Sequence, residues 1–535
     1  MSWPQAQYVI DELSKKFEDS SGGGAKIPPK AMAACSAVAG NTQAILSWTL
    51  PENTEVDGTA LVTVAGLVIV RKEGSAPADQ NDGTQILTSA DKTGTYTDTG
   101  LTNGAEYFYG FFPFSTANVY NVSQNNVVSV IPSAVKIWGF RQNFDNKSTA
   151  NDGTGTITYN TADEIENKDF SPMMTNEGTG TATAGSWLSF LTDVLKNQPY
   201  MVKSTGEADY ALDPNDYTKK KDGTPSDYKN TSYAGGAFSW INKLWMKEVY
   251  ASDNSYRDVY FTNGASDGYL PVGFIDSDNN ELEGLWIPMG YMDKNGKTLV
   301  AGTTPIANHT CDEENVIIVA FSSRARHFGG PIANVLRDLE FMLFRSTDVP
   351  KYAGYGRCNA GDNAVIANNV VANGVVPGFK GTADKTSLNK YFHSQLLGSY
   401  QQFLRDPFTL LVNGAFKYST NYTYDISGAK YKTSDKTSWG SLNGGWHYAT
   451  HMEYTGDGYG STPKKENTGS TSTGIPDGLS CDTSGVRVAY RSGVCDQDLI
   501  GGPASLLLYR MASFTDWGSS VGVLLLPPKG HSPQA

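Results

Sequence analysis

The sequence has few charged residues, no basic excess and no long apolar run, and each shortage excludes a class of protein. Asp, Glu, Lys and Arg make up 18% of the 535 residues, and the formal net charge is −13. Such a chain lacks the positive footprint of a nucleic-acid-binding protein, so we expect no nucleic-acid partner. No stretch of about 18 apolar residues is present, which argues against membrane insertion. The start, MSWPQAQYVIDELSKKF, lacks the features of a signal peptide, which predicts synthesis in a cytoplasm.

Metal-binding patterns are also scarce. The five cysteines are scattered without a Cys-x-x-Cys pair, which argues against a disulfide scaffold and a structural zinc site. His447 and His451 have the spacing of two ligands on a helix, but their aromatic neighbours indicate a strand, where residues four apart lie about 13 Å apart. The segment 276–281 begins like a calcium loop, yet Glu281 stands where that loop needs glycine. We predict no metal and no cofactor.

Motifs of catalysis are missing as well. The sequence contains neither a Gly-x-Ser-x-Gly elbow nor a Gly-x-x-x-x-Gly-Lys-Ser/Thr phosphate loop. Acidic pairs suited to glycoside hydrolysis stay open as an alternative, because the separation of two carboxylates is a spatial property. Acidic clusters are also expected as turn formers in a glycine-rich chain. We predict that the chain is not an enzyme and keep a hydrolase as the minority alternative.

The residues that are abundant predict a multidomain, β-rich protein. The chain has 56 Gly, 29 Tyr and 10 Trp, and its length suggests about two to four domains. Residues 1–26 predict an N-terminal amphipathic helix followed by a glycine-rich linker. A helix this short must pack on something, either its own domain or, as we favour, sister chains or a larger assembly. Its apolar face, the predicted oligomerisation seam, consists of Ala6, Ile10, Leu13 and Phe17.

Residues 27–133 form a second predicted domain. Strand-like runs separated by turn residues predict a β-sandwich. Trp48 lies on the second of these runs, and the pattern Gly-Leu-Thr-Asn-Gly-x-x-Tyr ends at Tyr107. These features resemble a fibronectin type III domain, including its tyrosine corner, in which the Tyr hydroxyl bonds to nearby backbone. The resemblance implies an Ig-like fold and says little about function, because such modules often serve as spacers.

Residues 134–535 form the third predicted domain, a large α+β unit that ends in the strands of residues 486–528. Val335–Phe344 predicts an amphipathic helix, and Gly284-Leu-Trp-Ile-Pro-Met-Gly-Tyr-Met-Asp293 ends a strand-turn-strand before it. This order resembles the C-type-lectin-like fold of variable adhesins of tailed phages. Tyr200-Met-Val-Lys203 and Tyr233-Ala-Gly-Gly236 are similar to fibre-type virion proteins of phages that infect gut Firmicutes. The chain lacks the paired disulfides and the Glu-Pro-Asn or Gln-Pro-Asp motif of the eukaryotic lectins, so calcium-dependent sugar binding is not implied.

The terminal segment supplies the predicted receptor contacts. Three apolar runs, Val486–Tyr490, Ser505–Tyr509 and Val521–Leu526, predict strands, and polar side chains between them suit a recognition surface. An ordinary solvated loop face is the alternative. The expected receptor-binding residues are Arg491, Asp496, Gln497, Asp498, Tyr509, Arg510, Asp516 and Trp517, with His447, Tyr448 and Tyr454 as a neighbouring wall.

The resemblance implies a virion surface protein, a fibre or tail adhesin, that attaches to a host by non-covalent, multivalent binding. We expect a homo-oligomer, with a trimer favoured, that contacts other virion proteins through its N-terminus. The expected partner is a host cell-surface receptor, with glycans among the candidates. A purely structural head-fibre, capsid-decoration or baseplate component is the alternative, and a capsule-degrading hydrolase is less favoured.

Overall fold

The described residues of the chain form two β-rich units that are divided between Val135 and Lys136. The computed structural model describes residues 28–56, 59–175, 182–353, 377–379, 382–386, 392–394, 403–438, 447–466, 474–491, 502–516 and 519–533. Among the helices of these residues, none is long and apolar enough to cross a membrane. The predicted helix seam of Ala6, Ile10, Leu13 and Phe17 lies outside the described residues.

The first unit contains two antiparallel sheets and a small hairpin. Its strands are β1 (Ala34–Gly40), β2 (Gln43–Thr49), β3 (Thr54–Val56), β4 (Thr59–Val62), β5 (Val64–Glu73), β6 (Thr84–Ser89), β7 (Thr93–Thr99), β8 (Tyr107–Ser115) and β9 (Val127–Val130), with a 3₁₀ turn at Gln124–Asn126 before the last. One sheet has the order β1-β2-β7 and the other β6-β5-β8-β9, while β3 pairs with β4. Along β2, Ala44, Leu46 and Trp48 are buried, which is the period-two pattern of a strand with one face in the core.

Two tyrosines of β8 tie this unit together through hydrogen bonds. The Tyr107 hydroxyl accepts a bond from the backbone N–H of Thr102 at 3.1 Å, which is the contact that its sequence pattern predicts. The buried Tyr109 hydroxyl donates to Asp98 at 2.8 Å, and Asp98 also pairs with Arg71 at 3.0 Å. These bonds fasten β7 and the loop after it to the opposite sheet.

The second unit is larger and carries the described helices. Its strands up to the first helix are β10 (Ile137–Asn143), β11 (Ile157–Tyr159), β12 (Met174–Thr175), β13 (Ala182–Thr183), β14 (Gln198–Lys203), β15 (Ala208–Asp213), β16 (Asp216–Lys220), β17 (Gly235–Asn242), β18 (Trp245–Tyr250), β19 (Tyr256–Thr262) and β20 (Gly284–Pro288). A π-helical turn spans Phe190–Val194. Then come α1 (Cys311–Phe321), β21 (Ala325–His327), α2 (Pro331–Phe344) and α3 (Val349–Ala353).

Most of the remaining strands of this unit complete its two largest described sheets, and the first two form a separate pair. They are β22 (Pro377–Phe379), β23 (Thr382–Thr386), β24 (Phe403–Val412), β25 (Ala415–Tyr418), β26 (Lys432–Ser438), β27 (His447–Gly456), β28 (Gly460–Glu466), β29 (Gly478–Cys481), β30 (Val486–Arg491), β31 (Leu506–Arg510), β32 (Ser519–Ser520) and β33 (Val523–Leu525). One sheet has the order β26-β25-β24-β30-β31-β29-β27-β28, with β32 beside β24, and another has the order β16-β15-β14-β17-β20-β33-β21. Strands therefore lie in all three apolar runs of the terminal segment, but β33 belongs to a different sheet from β30 and β31.

The helix α2 forms the centre of the second unit's core. Every residue from Pro331 to Phe344 is buried, and its apolar side chains belong to the largest hydrophobic cluster of the unit. The helix begins four residues before the predicted start at Val335, with a proline in the first turn, where the missing N–H costs nothing. The polar side chains of this helix are buried as well, so they need partners inside the protein.

Candidate functional site

Arg491, the first residue expected at the recognition surface, lies in the interior. The residue is 5% exposed, and its Nε donates to Asp406 Oδ2 at 2.6 Å. Its other nitrogens donate to Asn334 Oδ1 at 3.2 Å and to the Tyr459 hydroxyl at 3.1 Å. The expectation of an exposed Arg491 is therefore wrong. The strand β30 lies between β24 and β31, and Arg491 at its end neutralises the charge of the buried Asp406 carboxylate.

Three other expected residues of the terminal segment do come together at a half-exposed position. Arg510 lies with its guanidinium carbon 3.8 Å from the centre of the Phe514 ring and 4.7 Å from that of Tyr509. Its Nη2 is 3.5 Å from Asp516 Oδ2. We call Tyr509, Arg510, Phe514 and Asp516 the terminal cluster. The remaining expected residues of the segment, Asp496, Gln497, Asp498 and Trp517, lie outside the described residues.

The expected aromatic wall extends along β27 without gathering at one place. His447, Tyr448 and Tyr454 are all half-buried on this strand. At about 3.3 Å per residue, Tyr448 and Tyr454 are about 20 Å apart. Only Tyr454 borders the pocket described next, and its hydroxyl donates to Asp457.

A pocket of about 430 Å³ lies where the margins of two sheets meet in the second unit. One margin is β18, the last strand of the sheet β11-β10-β19-β18, and the other is the β27-β28 pair. The volume is within the range of ligand sites, about 300–1,000 Å³. We call it the β18–β27 pocket, and the lining residues that bear on its chemistry are Phe144, Glu248, Tyr250, Asn254, Tyr454 and Lys464.

Hydrogen bonds across the floor of the pocket hold the two margins together. The Tyr250 hydroxyl lies 2.7 Å from Ser461 Oγ, and Ser461 in turn donates to Glu248 Oε2. Beside them the Phe144 ring packs against His451 with centroids 4.9 Å apart. The floor is therefore a fixed array of hydroxyl, carboxylate and aromatic groups.

Glu248 is the most deeply buried polar group of this lining. Its side chain is 3% exposed, and Oε2 also accepts a bond from Arg257 at 2.9 Å. Its Oε1 has no hydrogen-bond partner among the described residues. Burial raises the pKa of this carboxyl, and the charge of Arg257 opposes the rise. A carboxylate oxygen without a donor is costly in the interior, so it is poised to accept a bond from an incoming group.

A buried chain of ion pairs connects this floor with Arg491. Arg257 pairs with Asp338 at 2.7 Å, and Arg337 pairs with the same carboxylate at 3.0 Å. Arg337 and Arg491 both donate to Asn334 Oδ1, at 3.1 and 3.2 Å. The two arginines beside it hold the pKa of Asp338 below its usual range, against the effect of its burial. The charges of this interior network compensate one another pairwise, which is the condition for keeping them away from water.

Local sequence patterns provide little indication of this pocket. Lys247–Tyr250 reads as an ordinary strand, and its pattern does not single out Glu248, its buried charge. The available signal is a charged pair, Lys247 and Glu248, inside a strand whose other residues are apolar or aromatic. Among the described residues, no group of three or more His, Cys, Asp or Glu side chains could hold a metal ion.

Comparisons with known proteins leave the family open. No family model matches the chain, and no curated protein matches it. Among solved structures, the twitchin kinase region from C. elegans matches with 11% identity and a TM-score of 0.12, over 68% of this chain. The chain spans about half the length of that structure, 51%. A likeness this weak carries no argument about fold or function.

Proposed function

We propose that this chain is a surface protein of a tailed-phage virion, a fibre or tail adhesin, that attaches to a host receptor without covalent chemistry. Residues 1–26 join copies of the chain, a trimer being favoured, and attach them to other virion proteins. Residues 27–133 act as a fibronectin type III-like spacer. Residues 134–535 form a C-type-lectin-like unit that carries the receptor contact. The proposed location is the virion surface.

The architecture of the first unit supports the spacer role. The unit has a three-stranded sheet, β1-β2-β7, and a four-stranded sheet, β6-β5-β8-β9. Residues of both sheets form one apolar core. Two antiparallel sheets with about seven strands are typical of fibronectin-like sandwiches, and the Tyr107 bond to Thr102 suits their tyrosine corner. Such modules recur as rigid connectors, so this unit needs no site of its own.

The terminal cluster is the observation that carries the proposed attachment. Arg510 is held against two aromatic rings with a carboxylate beside it, on the end of a strand. Arginine and tyrosine are the side chains most enriched where proteins bind partners. Presenting them half-exposed on a rigid strand lowers the entropy lost on binding. Several copies on one particle would add avidity to weak single contacts.

Binding of the purified chain to bacterial cells tests this proposal. The chain would be offered to a panel of gut Firmicutes beside a variant carrying Tyr509→Ala, Arg510→Ala and Asp516→Ala. The matched control removes the same three residue types elsewhere in the unit, at Tyr256, Arg141 and Asp258, where Arg141 stacks on the tyrosine at 3.6 Å and pairs with the aspartate at 2.8 Å. We expect cell binding by the chain and the folded control, and loss with the cluster variant.

A purely structural role in the particle is the competing proposal. Val316 and Val319 lie one turn apart on α1 and are 68% and 52% exposed, so an apolar strip faces outward. Such a strip suits contact with a neighbouring particle protein. Binding to no cell of the panel, together with loss of the chain from particles when both valines become serine, would favour this role over adhesion.

A further inference from the structure

We propose that the β18–β27 pocket binds a saccharide unit, with Glu248 as a hydrogen-bond acceptor on its floor and the rings of Tyr250 and Tyr454 against the sugar's apolar face. The lining of this pocket includes no residue of the terminal cluster. The proposal concerns a soluble ligand, and it does not depend on attachment of the chain to cells.

The lining combines the two kinds of group that a sugar requires. Tyr250 and Tyr454 offer aromatic surface to the C–H face of a pyranose ring. Glu248, Asn254 and Lys464 offer an acceptor, an amide and a donor for its hydroxyls. A few placed polar groups among aromatic side chains are typical of a small-ligand site.

The acceptor groups of the pocket favour a ligand with hydrogen-bond donors over an anion. Two carboxylates, Glu248 and Glu453, border the pocket with one lysine, Lys464. A phosphate would bring further acceptor oxygens against the carboxylate of Glu248, which disfavours it. Hydroxyl or ammonium donors instead complement an acceptor such as Glu248 Oε1, which has no partner within the described part of the chain. Neutral sugars and amino sugars both present such donors.

A glycine lies beside this acceptor. Gly460, at the start of β28, has its backbone in the left-handed region, at φ +86°. A Cβ at this position would lie 3.3 Å from Glu248 Oε1. Glycine at this position therefore keeps β28 from a tighter contact with the buried carboxylate.

The test is titration of the full chain with a panel of neutral hexoses, hexosamines and N-acetylhexosamines, measured by calorimetry and ligand-observed NMR. We expect at least one class to saturate one site per chain. Tyr454→Ala and Asn254→Gly should each weaken its affinity by about tenfold or more, equivalent to about 1.4 kcal/mol. Asn254→Gly suits the left-handed backbone at this position, φ +57°, so it removes the side chain without adding strain.

Tyr448→Ala, on the same strand about 20 Å away, is the control and should leave the affinity unchanged. Glu248→Gln keeps the shape of the floor and reports on the acceptor. If it unfolds the chain, the Tyr454 and Asn254 variants decide the result alone. The proposal is overturned if no sugar of the panel saturates the chain, or if binding is indifferent to both of these variants. Failure of cell attachment with intact sugar binding would count against the adhesin only.

Discussion

Arg491 Nε donates to Asp406 Oδ2 at 2.6 Å in the interior of the second unit, and the two residues are 85 positions apart in sequence. Asp406 sits at an irregularity in the pairing of β24 with β30, where its oxygens also accept bonds from Phe408 N–H and the Thr409 hydroxyl. Arg491, the last residue of β30, is therefore part of the core. It cannot serve as an exposed contact in this conformation.

Removing this arginine should destabilise the protein rather than alter a binding surface. Arg491→Ala leaves the Asp406 carboxylate buried without its cation, which typically costs about 3–5 kcal/mol. Arg487→Ala on the same strand is the matched control, because its partner Asp482 is 44% exposed and such pairs contribute about 1 kcal/mol or less. Equilibrium unfolding in denaturant measures both variants. Equal losses of stability in the two would contradict the interior role of Arg491.

The sequence predicted what local pattern encodes and missed what depends on distant partners. Alternation along β2 and the helical spacing of Val335–Phe344 are properties of neighbouring residues, and both elements are present. The burial of Arg491 depends on its ion pair with Asp406, and no local sequence pattern links these two residues. The β18–β27 pocket arises where two sheets meet, so residues such as Glu248 acquire their role only in three dimensions. The start of α1 carries a local signal, because Thr310 and Glu313 form a capping box there.

His327 should make the protein sensitive to mild acid. The residue is 1% exposed, its ring stacks on Tyr424 at 5.8 Å, and neither ring nitrogen has a partner among the described residues. Burial, together with the charge of Arg405, lowers its pKa to about 3. Because the unfolded chain takes up this proton near pH 6.5, the contribution is intact above that pH and is lost as pH falls toward about 3.

The measurement is the free energy of unfolding at pH 7 and pH 5 for the wild type and His327→Phe. Between these values the wild type should lose about 2 kcal/mol more than the variant, which has no proton to take up at this position. The carboxylates titrate alike in both proteins, so the difference isolates the histidine. Parallel pH profiles would show that His327 is protonated without penalty.

Asp477 should have the opposite pH dependence. Its Oδ2 accepts a bond from Ala504 N–H at 2.7 Å, while Oδ1 faces Gly502 without a partner in the described part of the chain. Burial raises the pKa of this carboxyl to about 8. The folded state therefore keeps a proton that the unfolded chain releases near pH 3.9, and stability falls as pH rises from about 4 to about 8.

Asp477→Asn is neutral at every pH and keeps an oxygen for the Ala504 bond. Its stability relative to the wild type should rise between pH 5 and pH 8 by up to about 1.4 kcal/mol per pH unit. Thermal or denaturant unfolding at pH 5, 6.5 and 8 provides the comparison. A constant gap across this range would mean that Asp477 is already ionised in the folded protein.

Gly94 in the first unit should not tolerate even one added methyl group. It lies opposite Trp48 in the β2–β7 pair, and a Cβ at this position would come 2.3 Å from Trp48 Cζ2. Gly94→Ala must therefore displace the buried indole, and overpacking of this kind costs about 1–3 kcal/mol. A double-mutant cycle with Trp48→Phe identifies the cause. Phenylalanine has a single ring and therefore lacks the second ring of the indole, whose Cζ2 the added methyl group would meet. We expect the cost of Gly94→Ala to shrink in the Trp48→Phe background, and an unchanged cost would place the strain in the backbone of β7 instead.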